Sequence, residues 1–241
     1  MGLIIAAAVT TALALAGLVV LLVRAPDWRP AALAFALALP LQPLALHLVR
    51  LPIDDALKSI FGASTFVVIV SLFYAPLTEE PAKWLVTAVP AVRRGIGLQP
   101  VTMALAVGLG FAIGEIWMLA HSFLALPALA TLPAWMFSGF VLERLEVCFL
   151  HGAFVAPAFV NLARGRSFWL GGLVGMVLHF LLNFPIYLKQ IDLFGLGENW
   201  IPVLLLWVLA MVVLCAVIVS RLASRPSPAP AGVAAAGGAP R

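Results

Sequence analysis

Long apolar runs joined by short polar connections make up nearly the whole chain. Seven such runs can be drawn, at 3–23, 31–49, 62–92, 101–124, 132–163, 168–188 and 201–221. A helix needs ~20 mostly apolar residues to cross a hydrocarbon layer, because each residue advances it by only ~1.5 Å. The pattern therefore predicts an all-α fold, a polytopic membrane helix bundle with about seven transmembrane helices. The third and fifth runs exceed one crossing, so each must tilt, break near Pro76 or Pro157, or begin with an interfacial turn. The first run has full spanning length and no basic region before it, which reads as a retained helix rather than a cleaved signal. Residues 1–222 are expected to form one transmembrane domain with its functional core at 62–188. Residues 223–241, rich in Pro, Ala and Gly with no apolar face, are expected to be a disordered tail.

Composition removes the soluble alternatives. The 241 residues are 64% hydrophobic and 10% charged, too few charges to cover the surface of a soluble domain. A net charge of +4 does not point to nucleic acid, because the basic residues sit at the ends of apolar runs, where they set orientation in a bilayer. Arg24, Arg29, Arg93, Arg94, Arg164, Arg166, Arg221, Arg225 and Arg241 fall on one side of the predicted topology, and Arg50, Lys58 and Lys189 on the other. Nine against three places the N-terminus outside and the C-terminus in the cytoplasm. The simple topology and Ala-rich composition suggest a bacterial inner membrane. Cys148 and Cys215 lie in apolar stretches and read as small hydrophobes, neither disulfide nor metal ligands.

Charge inside the predicted spans is the informative anomaly. An ionisable side chain at mid-bilayer costs ~2.5 kcal/mol or more, so its presence is a functional hypothesis by default. The spans contain Glu79, Glu80, Lys83, Glu115, Glu143, Arg144, Glu146, His151 and His179. Glu80 precedes Arg93 by 13 positions, His151 precedes Arg164 by 13, His179 follows Arg166 by 13, and Glu115 follows Val101 by 14. On straight helices, four residues on four spans would share a depth roughly 20 Å from the cytoplasmic edge. Spacing within each helix converges too. Lys83 can reach Glu79 at i,i+4 or Glu80 at i,i+3, Arg144 and His151 share a stripe, and His179 and Asn183 share a face, as do Phe111 and Glu115. Gly108, Gly110 and Gly114 would let another backbone approach. His47 and His121 fall near outer helix ends and read as interfacial, and Asp54 and Asp55 read as residues of a solvated outer loop.

EEPAK (79–83), GLGFAIGE (108–115), ERLEVCFLH (143–151) and HFLLN (179–183), in this order, resemble the glutamate-type intramembrane proteases of the CAAX-processing and bacteriocin-immunity superfamily. The similarity covers about half the chain. Lys83 stands where many members carry Arg, and Glu115 where the CAAX-processing enzymes carry His, which favours the PrsW-like and YhfC-like branches. The resemblance implies hydrolysis of a peptide bond in a membrane-anchored protein or peptide. Glu79 or Glu80 would be the base, His179 and Asn183 would contact the oxyanion, Glu115 and His151 would orient water or shuttle protons, and Lys83 and Arg144 would offset negative charge. Two adjacent glutamates point about 100° apart on a helix, so one of them faces the water, and the sequence does not say which. No cofactor is implied. The competing chemistry is a zinc site built from Glu80, Glu115, His151 and His179. Outside the enzymes, a proton-coupled transporter or a non-catalytic membrane scaffold would also retain buried glutamate and histidine.

Overall fold

The computed structural model describes residues 1–62, 64–192 and 194–224, and among these every regular element is helical. In chain order the main helices are α1 (Gly2–Val23), α2 (Trp28–Phe61), α3 (Thr65–Trp84), α4 (Pro90–Leu98), α5 (Pro100–Leu124), α6 (Ser138–Ala163), α7 (Phe168–Gln190) and α8 (Trp200–Ala223). Six helices among the described residues, all but α3 and α4, are long and apolar enough to cross a membrane. Ala223, expected in the tail, belongs to α8, and residues 225–241 of the expected tail lie outside the described residues.

Prolines punctuate this chain differently from expectation. α3 passes through Pro76 and Pro81, and α6 passes through Pro157, without ending. Instead α3 stops at Trp84, where a 3₁₀ turn (Leu85–Ala88) leads to Val89 at φ −83° and ψ 118°. Val89 precedes Pro90, whose ring disfavours helical backbone in the residue before it. Pro90 then opens α4 in the first turn, where its missing N–H is not needed. The run at 62–92 is therefore two helices and a turn, and the helical rise counted from Glu80 to Arg93 does not exist. α2 departs in the other direction, running on to Phe61, so that Asp54 and Asp55 stand on a helix and not in a loop. Its course includes a π turn, Leu46–Arg50, between Pro43 and Pro52, an interruption of a kind frequent at functional sites. The fifth run begins, as one of its options allowed, with a 3₁₀ turn at Ala134–Phe137.

Small residues set the packing at the centre. α6 packs against α1, α5, α7 and α8, and α5 also packs against α1 and α2. A Cβ added to Gly108 would lie 2.0 Å from the backbone N of Gly152, so α5 and α6 cross at backbone contact. Gly110 and Gly114 meet α2 in the same way, since a Cβ added to either would lie 2.3 Å from a backbone oxygen, of Phe35 and Leu39 respectively. A Cβ added to Gly175 on α7 would lie 2.1 Å from the Phe154 oxygen on α6. The crossing at Gly152 carries the adjacent His151 onto α5, where its ring lies 5.0 Å from that of Phe111, one turn beyond Gly108. Glu115 follows one turn later. Elsewhere the outward surfaces of α1 and α8 are apolar, with residues such as Leu13, Val19, Leu206 and Val213 exposed as a lipid-facing helix requires.

Gly108→Val places a branched side chain at this crossing and is expected to destabilise the protein by ~2 kcal/mol or more. Thermal unfolding in detergent measures it. An unchanged melting temperature would show that the helices are not held at backbone contact.

Candidate active site

A cavity of about 540 Å³ enters the bundle from the end formed by the start of α3, the end of α5, the start of α6 and the end of α7. Arg93 and Arg94, on α4 between α3 and α5, and Arg164 and Arg166, between α6 and α7, lie at the opposite end. Glu79, Glu115, Arg144, His179 and Asn183 all line the cavity. Glu80, Lys83 and His151 do not, since they are packed beneath it, with Glu80 and Lys83 fully buried.

The polar side chains form one continuous line across five helices. Arg50 Nη1 lies 3.2 Å from Glu79 Oε1, and Glu79 Oε2 lies 3.7 Å from His179 Nε2. On the other edge of the same ring, His179 Nδ1 is 2.7 Å from Glu80 Oε1. That oxygen also accepts from Lys83 Nζ at 2.6 Å. Lys83 Nζ reaches His151 Nδ1 at 2.8 Å, and His151 Nε2 lies 2.9 Å from Glu115 Oε2. Glu115 Oε1 is 3.1 Å from Arg144 Nη1, and Arg144 also holds Glu143, with its Nε 3.0 Å from Glu143 Oε2.

Donor and acceptor roles follow from the groups themselves. An ammonium has three donors and no acceptor, so His151 Nδ1 must accept from Lys83, and its proton sits on Nε2 and is donated to Glu115. Glu80 Oε1 accepts from both Lys83 and His179 Nδ1–H. The second nitrogen of His179 therefore carries its lone pair towards Glu79 and the cavity, at a distance too long for a direct hydrogen bond. Aromatic faces complete the lysine's surroundings, with Phe111 4.7 Å and Phe154 5.9 Å from Nζ.

Glu80, Glu115, His151 and His179 are thus joined through a set of contacts, although the depth counted along one helix from Glu80 to Arg93 does not apply, since α3 ends between them. Lys83 takes the i,i+3 partner. Arg144 and His151 meet on Glu115, and His179 and Asn183 share the cavity wall. Glu146 is half-buried and stands outside the network, and His47 and His121 are exposed. Cys148 and Cys215 are buried free thiols.

One residue escaped the sequence reading entirely. Arg50 looked like an end-of-span anchor, yet it lines the cavity and pairs with Glu79. Its position between two prolines, directly after an apolar run, was the available signal.

As to metals, ligand atoms of Glu79, His151 and His179 all lie within 4.8 Å of one another. This differs from the expected quartet, because Glu80 and Glu115 are committed to Lys83 and Arg144. Zinc needs a deprotonated imidazole nitrogen at ~2.0–2.1 Å. His151 has neither nitrogen free for this, one being taken by Lys83 and the other by Glu115, so the three side chains as arranged do not fit a zinc centre unless one of those contacts is given up. No family model, curated protein or solved structure matches the chain.

Lys83→Met removes the only cation between Glu80 and His151 and is expected to cost ~3 kcal/mol or more, the cost of a buried charge left without its partner. Melting in detergent reads the loss. The same geometry predicts that ¹⁵N spectra of histidine-labelled protein show His151 protonated on Nε2, and an Nδ1-protonated His151 would contradict the assigned roles.

Proposed function

We propose that this chain is an intramembrane peptidase that hydrolyses a peptide bond of a membrane-anchored protein or peptide with a water activated by Glu79. The observation that carries the reading is the pairing of Glu79 Oε2 and His179 Nε2, two acceptors 3.7 Å apart on the wall of a cavity, with the other nitrogen of His179 and both nitrogens of His151 committed. Of the two glutamates that the motif leaves open, Glu79 lines the cavity and Glu80 is fully buried beneath it.

In this reading a water donates to both acceptors. Glu79 takes its proton as the oxygen attacks the scissile carbonyl, forming the new C–O bond. Asn183 offers amide donors to the developing oxyanion, and His179 joins it when Glu79 passes that same proton to its Nε2. Collapse of the tetrahedral species breaks the C–N bond, and the proton passes to the leaving amine. Glu80, Lys83, His151 and Glu115 touch no substrate. They hold the His179 ring and the surrounding charge in place. The arrangement is consistent with the resemblance to the PrsW-like and YhfC-like branches.

Topology belongs to the same proposal. α3 is 20 residues long, and its three charged residues all point into the bundle, so it makes a seventh span beside the six apolar ones. With the clustered arginines on the cytoplasmic side, the N-terminus is outside and the cavity opens outward. Substrates are then cut near their external membrane boundary.

Comparative proteomics of membranes carrying Glu79→Gln or His179→Ala tests the activity. At least one membrane polypeptide is expected to accumulate uncleaved, with turnover reduced roughly 100-fold or more. Unaltered processing in both variants sinks the peptidase. The misfit of a metal centre predicts that purified protein holds no stoichiometric zinc by mass spectrometry and cleaves equally well after chelation. One tightly held zinc whose removal abolishes cleavage would restore the metalloprotease alternative.

A further inference from the structure

Resting on the peptidase reading, we propose that Arg50 is a positioning residue for Glu79, supplied by a helix that carries none of the four motifs. Arg50 closes the π turn of α2, and its partly exposed guanidinium lines the cavity 3.2 Å from Glu79 Oε1.

Polar contacts hold it there. The part of α2 that follows, Leu51–Phe61, has no buried residue, so burial of an apolar face does not fix its place. One turn beyond Arg50, Asp54 accepts a hydrogen bond from the Tyr74 hydroxyl on α3. α2 and α3 are thus tied at two levels, Arg50 to Glu79 and Asp54 to Tyr74. The π turn supplies what a regular helix would not, an extra residue that rotates the following turn and changes where Arg50 is presented.

The consequence lies in the two oxygens of Glu79. A carboxylate on a flexible side chain has several rotamers, and the one adopted here presents Oε2 to His179 Nε2. Binding of Oε1 by the guanidinium selects that rotamer and leaves Oε2 for the water. The cation also compensates a carboxylate that stands in a poorly solvated wall. Arg50 touches no reacting atom and acts only through Glu79.

The full-length chain in detergent gives the first arm of the test. Melting of Arg50→Gln, Glu79→Gln and the double variant forms a cycle, and the two shifts are expected to be clearly less than additive. Additive shifts overturn the role of Arg50 and leave the peptidase reading untouched. The second arm uses as probe the membrane polypeptide that accumulates in Glu79→Gln membranes, purified and labelled. Arg50→Gln is expected to lower kcat roughly 100-fold, the loss typical of a misplaced reacting group. KM should stay within about twofold, since substrate binding is not the function removed. Arg50→Lys restores the charge and recovers part of kcat. A native kcat in Arg50→Gln, or a loss confined to KM, overturns the proposal. If no polypeptide accumulates in either Glu79→Gln or His179→Ala membranes, the peptidase reading and this role fall together; accumulation in His179→Ala membranes alone overturns this role.

Discussion

The ammonium of Lys83 has no exposed surface, and the rest of the site is arranged around that fact. Removing a charge from water costs several kcal/mol after relaxation, so a buried lysine persists only with close acceptors. Lys83 has two, Glu80 at 2.6 Å and His151 at 2.8 Å. The first contact withdraws Glu80 from the cavity, and the second decides which nitrogen of His151 bears the proton. That proton then faces Glu115, which is drawn away from Arg144 on one oxygen and towards it on the other. Glu115 and Arg144 line the cavity already paired with each other, and Glu79 Oε2 and His179 Nε2 face one another on its wall.

Such a network requires dry surroundings, and the glycines provide them. Close backbone approach at Gly108 and Gly152 packs α5 on α6, and at Gly175 packs α7 on α6, and the buried groups between them stand in a low-dielectric interior. Hydrogen bonds to charged groups are strongest there, and unpaired groups most costly.

Much of this was legible in the sequence, for reasons that also explain the omissions. The motif residues on α3, α5, α6 and α7 could be identified because polar groups stand out against an apolar background and helical spacing says which share a face. Glu79 and Glu80 could not be told apart, because both are adjacent, acidic and flanked by the same residues; only their three-dimensional neighbours differ. The end of α3 was misplaced because apolar residues continue through Leu85–Ala88, while the stop signal is the backbone restriction that Pro90 imposes on Val89. Arg50 was hidden for another reason. Its partner is 29 positions away on a different helix, and no periodicity links them.

Charge balance connects the geometry to the proposed chemistry. In the core of the site three carboxylates, Glu79, Glu80 and Glu115, face three cations, Arg50, Lys83 and Arg144. Glu143 adds a fourth carboxylate on Arg144, but at 41% exposure it stands at the solvated mouth and needs no internal compensation. The core is therefore neutral with both imidazoles uncharged. A neutral His179 that gives its Nδ1 proton to Glu80 keeps a lone pair at Nε2, opposite the carboxylate of Glu79. Two acceptors of this kind cannot bond each other, but they match the two hydrogens of one water. Protonation of either acceptor then turns it into a donor, and that proton can return to a leaving group without any other member of the network changing charge. The buried half of the site is thus a fixed frame, and the Glu79–His179 edge is where a proton can come and go.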